Sequence, residues 1–306
     1  MRIVLIGQAA FGAKTLQALS ERGEQVVGVY APPDDSASKS DPLKQSALEK
    51  HIPLFQPGRM RDPGVYEGYA KLAPDLNIMA FVTDIMPASI LNYPGLGTIQ
   101  YHPSLLPRHR GGSAINWAII QGETKTGISI FWPDAGIDTG PILLQKEADI
   151  SPNDTLGSLY YNKLFPLGIE ALMEAVELVR QGKAPKIPQD ESKATYEGLC
   201  RAEQALIDWA KPVSEVYNLI RGTDPQPGAT TFVRGSKLKI YDSELLLQTS
   251  DKAPHEIVAI DSLGIVVTCR GGCILIKRVQ IPGRPKIVAS DYAKSGTIKV
   301  GERLGR

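Results

Sequence analysis

Residues 2–30 read RIVLIGQAAFGAKTLQALSERGEQVVGVY. Residues 2–7 form an apolar run of strand length, 13–22 carry Leu16 and Leu19 at helical spacing, and 24–30 are a second apolar run. Strand, helix and strand in succession signal a parallel sheet. Downstream, the same patterns predict helices at 43–50 and 65–73 and strands at 52–55, 76–81 and 98–102. A helix capped by Ser113 is expected over 113–121, with extended segments at 126–132 and 141–150. A long helical pattern runs from Asp154 to Gln181, with Pro166 expected to bend it. Residues 1–182 therefore read as an α/β domain built on an open parallel sheet.

The pattern then changes. Residues 183–203 open on a proline- and charge-containing stretch and read as a linker. In 204–306 a short helix at 212–221 places Val213, Val216, Tyr217 and Ile220 on one face, with Gly222 as its stop. Short strands follow at 230–233, 238–241, 256–260, 265–269 and 273–279, spacing that indicates a small barrel or sandwich.

A net charge of +1 over 306 residues argues against a wholly basic nucleic-acid binder or an acidic disordered chain. Residues 1–203 carry a net −4 and 204–306 a net +5, so the second part is mildly basic, as a solvated surface or toward a polyanion. The apolar runs are broken by charge before the roughly 18 residues that a membrane span needs, and residues 3–6 are too short for a signal peptide. Three cysteines, Cys200, Cys269 and Cys273, make no disulfide framework. The expectation is a soluble cytoplasmic protein with no membrane partner; nothing in the sequence specifies its oligomeric state.

Candidate chemistry is concentrated in two stretches. Residues 7–12, GQAAFG, follow a strand and open a helix, but they are neither G-x-G-x-x-G nor a P-loop, and no acid ends the second strand. They read as two glycines permitting a tight turn. Residues 98–102 are more informative: Thr98, Gln100 and His102 share one face of a strand and lead into a loop stiffened by Pro103 and Pro107. Polar side chains at a strand's C-terminal end suit a ligand crevice. In 134–140, DAGIDTG, Asp138 either caps turn N–H groups or returns over the sheet end to meet His102. Arg108, His109 and Arg110 could receive a carboxylate or phosphate, or form a solvated cluster. Cys269 and Cys273 are wrongly spaced for zinc and fit a hairpin turn, and Ser104 lacks a nucleophile-elbow context.

Residues 102–111 (HPSLLPRHRG), 114–117 (AINW) and 136–140 (GIDTG) resemble the formyltransferase family that uses 10-formyltetrahydrofolate. The resemblance is closest to the N-terminal hydrolase module of 10-formyltetrahydrofolate dehydrogenase and more distant to methionyl-tRNA formyltransferase. It extends over nearly the whole chain, including 194–198 (ATYEG) and 220–222 (IRG). It implies a Rossmann-like catalytic domain with formyltransferase topology at 1–182, followed after the linker by a small open, OB-like β-barrel at 204–306. The family's catalytic histidine and aspartate fall on His102 and Asp138, and its catalytic amide position on Gln100. Its folate-contacting segments fall on Asp84, Ile85 and Met86, on Ser104, Leu105, Leu106 and Pro107, and on the loop ending at Asp138. Side chains differ from close relatives at Asp84, Ile85 and Met86, so backbone contacts are what carry over there.

Two departures bear on the acceptor. Transferases carry asparagine where Gln100 stands, and the hydrolase module carries an apolar residue. Methionyl-tRNA formyltransferases carry a basic loop where 31–44 has a net −1. The resemblance thus implies release of the formyl group, with 10-formyltetrahydrofolate as donor and tetrahydrofolate as product. Hydrolysis to formate comes first, then transfer to methionyl-tRNA, then to an amino sugar; a folate sensor without turnover is the non-enzymatic alternative. No metal is expected. With the sequence ending at Arg306, no NAD(P)-dependent oxidation is expected either.

Overall fold

The computed structural model describes residues 1–34, 40–248 and 250–305. Part of the 31–44 loop, residues 35–39, therefore lies outside the described residues. In chain order the strands are β1 (Arg2–Gly7), β2 (Gln25–Tyr30), β3 (Leu54–Phe55), β4 (Leu76–Ala80), β5 (Thr98–His102), β6 (Lys125–Phe131) and β7 (Ile142–Asp149). They continue as β8 (Ala229–Val233), β9 (Ser236–Leu246), β10 (Ile257–Ile260), β11 (Ile265–Cys269), β12 (Gly272–Gln280) and β13 (Ile287–Val288). The helices are α1 (Ala9–Glu21), α2 (Pro42–Glu49), α3 (Val65–Ala70), α4 (Ala88–Leu91) and α5 (Ala114–Ile120). After them come α6 (Leu156–Leu159), α7 (Phe165–Arg180), α8 (Val213–Gly222) and α9 (Ala289–Lys294). None is long and apolar enough to cross a membrane among the described residues.

The chain divides into two compact units. The first comprises Met1–Arg110, Gly127–Ala148 and Lys163–Tyr196, the second Gly111–Thr126, Asp149–Asn162 and Glu197–Arg306.

In the first unit a Rossmann-like sheet of seven strands has the order β3-β2-β1-β4-β5-β6-β7. It is parallel from β3 to β5, where Leu5 pairs with both Val29 and Ile78. β1 and β4 are almost wholly buried, which accounts for their mostly apolar sequence, Asn77 in β4 being the polar exception. The parallel expectation stops at β5: β6 runs antiparallel to it, with His102 opposite Ser129.

α1 buries Phe11, Thr15, Leu16 and Leu19 along one stripe, as the opening pattern required. Gly12 lies within α1, and Gly7 ahead of it does something other than form a turn. A Cβ on Gly7 would stand 2.2 Å from the carbonyl oxygen of Ala80, so Gly7 permits close approach of β1 to β4. The positive φ of the turn belongs to Ala9 (57°), whose N–H is held by the Asp41 carboxylate at 2.8 Å. The long helical pattern is not uniform: a π turn at Tyr160–Leu164 joins α6 to α7, and Pro166 is the second residue of α7.

The second unit carries an open antiparallel sheet of order β10-β11-β12-β9-β8. β12 pairs with β9 along one edge and, along the other, with β11 through Ile276 and then with β13 at Arg278 and Val279, as in a small barrel. Val213, Val216, Tyr217 and Ile220 of α8 are buried in its core beside Ile240 and Ile274. Cys269 and Cys273 flank the β11–β12 hairpin and enter different apolar clusters. Ser113 precedes α5 but does not cap it: its φ is 68°, and its hydroxyl accepts the N–H of Cys200 at 3.1 Å. Gly222 is the last residue of α8, not a left-handed stop, and its space is filled by α5.

Candidate active site

His102 is the last residue of β5, on the same face as Thr98 and Gln100. Asp138 sits in the loop between β6 and β7 with φ 55°. The loop's turn is made by a different acid: Asp134 Oδ1 accepts the N–H of Gly136 at 2.9 Å and the hydroxyl of Thr139 at 2.6 Å. Asp138 instead turns its carboxylate toward β5. Its Oδ2 lies 3.4 Å from Nδ1 of His102, with the two side chains 9% and 6% exposed. Gln100 Nε2 donates to Asp138 Oδ1 at 3.4 Å. The structure thus brings the three sequence-derived candidates together at the end of one strand. The second imidazole nitrogen, Nε2, is 2.8 Å from the carbonyl oxygen of His109.

The loop after His102 is held from within. Ser104 is fully buried and its hydroxyl donates to the carbonyl of Arg108 at 2.6 Å. Leu106, 3% exposed, packs on Phe131 and Ile142; its N–H goes to Ser129 Oγ and its carbonyl accepts from Gln145 Nε2. The carbonyl of Leu105 accepts the N–H of Arg108, and that of Pro107 accepts the N–H of Thr195. Leu105 and Pro107 are half-buried.

Asp84 and Ile85 lie elsewhere on the sheet's C-terminal edge. They line a cleft of about 450 Å³ with Gly7 and Gln8 after β1, Tyr30 and Ala31 after β2, and Arg59 and Met60. This is the point where the strand order reverses between β1 and β4, the usual ligand crevice of an open α/β sheet. Asp84 shapes that rim by accepting the N–H groups of Met60 at 2.7 Å and Ile85 at 2.9 Å. Ile85 is 74% exposed, whereas Met86 points into the apolar cluster beneath with Met60, Tyr69 and Ile90. Burial pushes the Tyr30 phenol up to about 12, so it lines the cleft as a neutral group. No group of three or more metal-ligating side chains occurs among the described residues.

The partner of Arg110 is internal. Its guanidinium forms a parallel pair with the Glu191 carboxylate at 2.9 and 2.6 Å. That carboxylate holds Arg110 above its ordinary value, and Arg110 holds the Glu191 carboxyl below its own. Residues 187–195, which composition alone read as linker, lie directly against the site. Gln189 donates to the backbone carbonyl of Asp138 at 2.8 Å, and Thr195 Oγ1 accepts the N–H of His109 at 2.8 Å. Sequence reasoning gave no role to Gln189, Glu191 or Thr195: Gln189 and Thr195 act on backbone groups and Glu191 on a distant guanidinium, and none of these contacts imposes a spacing pattern.

Residues 1–176 match the formyl transferase family and 200–296 its C-terminal domain. The mouse mitochondrial 10-formyltetrahydrofolate dehydrogenase is 41% identical over 99% of this chain, which spans about a third (34%) of that relative's length. A methionyl-tRNA formyltransferase of Syntrophus aciditrophicus is 36% identical over 99% of this chain and 98% of its own length. Among solved structures, the N-formyltransferase of Helicobacter canadensis has the same fold. It superposes with a TM-score of 0.71 at 18% identity, covering 90% of this chain and 98% of its own. Matched in both of its parts and along nearly its whole length, the chain belongs to the formyl transferase family.

Proposed function

We propose that this enzyme removes the formyl group from N10 of 10-formyltetrahydrofolate and passes it to water, giving formate and tetrahydrofolate. The observation that carries the reading is the meeting of His102, Asp138 and Gln100 at the end of β5. The cleft at the ends of β1 and β4 supports it, because β4 is the neighbour of β5 and adjacent strands lie about 4.8 Å apart. A folate seated there, against the backbone around Asp84 and Ile85, has its reactive end within reach of His102.

In this reaction water adds to the formyl carbon and its proton passes to the Asp138 carboxylate. Negative charge builds on the formyl oxygen, which the protonated His102 and the Gln100 amide stabilise; one such donor is worth about 2.7–4 kcal/mol. When the adduct collapses, the carbon–N10 bond breaks and N10 takes the proton of His102. Formic acid ionises on release, and the proton on Asp138 restores His102. General acid–base action of this kind contributes roughly 10²–10⁴-fold.

Water is favoured as acceptor by the acidic balance of residues 31–44 and by the higher identity to the dehydrogenases. Transfer to methionyl-tRNA is the second reading, supported by the amide at Gln100 and by a relative of that name matched over nearly its full length. Pure protein incubated with 10-formyltetrahydrofolate, with and without charged initiator tRNA, separates the two. Tetrahydrofolate formed at equal rates in both selects hydrolysis. A strict tRNA requirement, weakening steeply with salt, selects transfer.

A further inference from the structure

The segment 187–195 is tied to both loops that carry the site. Ile187 exchanges two backbone hydrogen bonds with Ile142 at the start of β7, at 2.8 and 2.9 Å. At the other end Thr195 accepts the N–H of Arg110 on its carbonyl and the N–H of His109 on its hydroxyl. Between these ends stands Gln189. Its Nε2 donates to the carbonyls of Asp138 (2.8 Å) and Gly140 (2.7 Å), and its Oε1 accepts from Nε (3.2 Å) and Nη2 (2.8 Å) of Arg110. Glu191 completes the arrangement by pairing with the same guanidinium.

A single amide side chain therefore joins the loop that carries Asp138 to the loop whose His109 carbonyl holds His102 Nε2. We infer that Gln189, with Arg110 as its anchor, is a positioning residue that sets the spacing of His102 and Asp138 without touching substrate. This rests on the reaction proposed above. The physical reason is directional. Gln189 fills four hydrogen-bonding positions at once, two as donor and two as acceptor, so neither loop can shift without breaking bonds to it. Misplacing catalytic groups by about 1 Å can cost about 10²-fold.

Gln189→Glu is the diagnostic change. It keeps side-chain length and an oxygen for Arg110, but sets a second oxygen against the carbonyls of Asp138 and Gly140, which cannot donate. Gln189→Met removes both sets of bonds without adding charge and serves where the first variant fails to fold. We expect kcat for formyl release to fall about ten- to hundredfold in either folded variant, with KM for 10-formyltetrahydrofolate within about twofold of wild type. Hydrogen exchange should accelerate in the peptide containing residues 133–141. Unchanged kcat, or a fall matched by an equal rise in KM, overturns the positioning role. If the wild type releases no formyl group to any acceptor, the functional reading fails instead. Exchange then decides the positioning alone, and equal exchange in wild type and variant overturns it.

Discussion

The carbonyl oxygen of His109 lies 2.8 Å from Nε2 of His102, seven residues earlier on the same stretch of chain. A carbonyl only accepts, so Nε2 carries a hydrogen. The neutral imidazole would then turn the lone pair of Nδ1 toward the carboxylate of Asp138 at 3.4 Å, acceptor against acceptor. A proton held between Nδ1 and Oδ2 makes the contact attractive and is the proton that the reaction proposed above delivers to N10.

Asp138→Asn tests this directly. The asparagine amide can donate to Nδ1 and preserve the contact, but the shared proton is gone. Turnover should fall about 10²–10⁴-fold while the thermal midpoint stays within a few degrees of wild type. Formyl release at near wild-type rate in a folded Asp138→Asn variant would remove Asp138 from the chemistry.

The core under the site makes a separate prediction. Asn77 is fully buried in the middle of β4, an unusual residue for a central parallel strand. It accepts from Tyr69 Oη at 2.9 Å and donates to the carbonyl of Ile90 at 3.0 Å and to Thr98 Oγ1 at 3.2 Å. Asn77→Leu strands those groups in an apolar interior and should cost about 2–4 kcal/mol. A calorimetric midpoint unchanged by the substitution would show that the network carries no net stability.

Much of this was legible in residue order. The β1-α1-β2 opening, the strand at Thr98–His102 and the buried face of α8 follow from periodicity, because in each the apolar pattern and the local chain preference agree. His102 and Asp138 were legible as chemistry from their motifs, and their contact is what the fold adds. Gln189 was not legible: its function depends on which carbonyls lie opposite it, and those are set by tertiary contact, not by side-chain type. The same cause misplaced Ser113. Its neighbours license a cap, yet a left-handed backbone turns its hydroxyl to Cys200. The antiparallel turn of β6 was hidden likewise, since an apolar strand reads the same in both directions.

The Arg110–Glu191 pair predicts a pH dependence of defined sign. Glu191 titrates below its ordinary value because Arg110 hydrogen-bonds its charged form. Its folded value lies beneath the unfolded one, so the pair contributes stability above about pH 4.3 and loses it as pH falls through the folded value. Glu191→Gln should therefore lower stability near neutrality, with the two denaturation curves merging at the acid end. Glu191 is exposed, so about 0.5 M salt should narrow the difference. A gap that widens toward acid would reverse the assignment.

Gly222 sets helix propensity against packing, and magnitudes decide which wins. It closes α8, where alanine would gain about 1 kcal/mol in propensity. A Cβ there, however, would stand 2.7 Å from Cγ1 of Ile120 and 3.1 Å from the carbonyl oxygen of Asn116, both on α5. Asn116 Nδ2 also donates to the Gly222 carbonyl at 2.8 Å, so the two helices cannot separate without breaking that bond. Overpacking of this kind costs about 1–3 kcal/mol, and losing the bond adds about 1 kcal/mol, so the clash outweighs the propensity. Gly222→Ala should lower stability by about 1–3 kcal/mol in a denaturant titration. Gly68, on α3 with nothing within 4 Å of its added Cβ, is the matched control, and Gly68→Ala should raise stability by about 0.5–1 kcal/mol. Equal gains at both positions would mean that α5 and α8 do not need the glycine to approach.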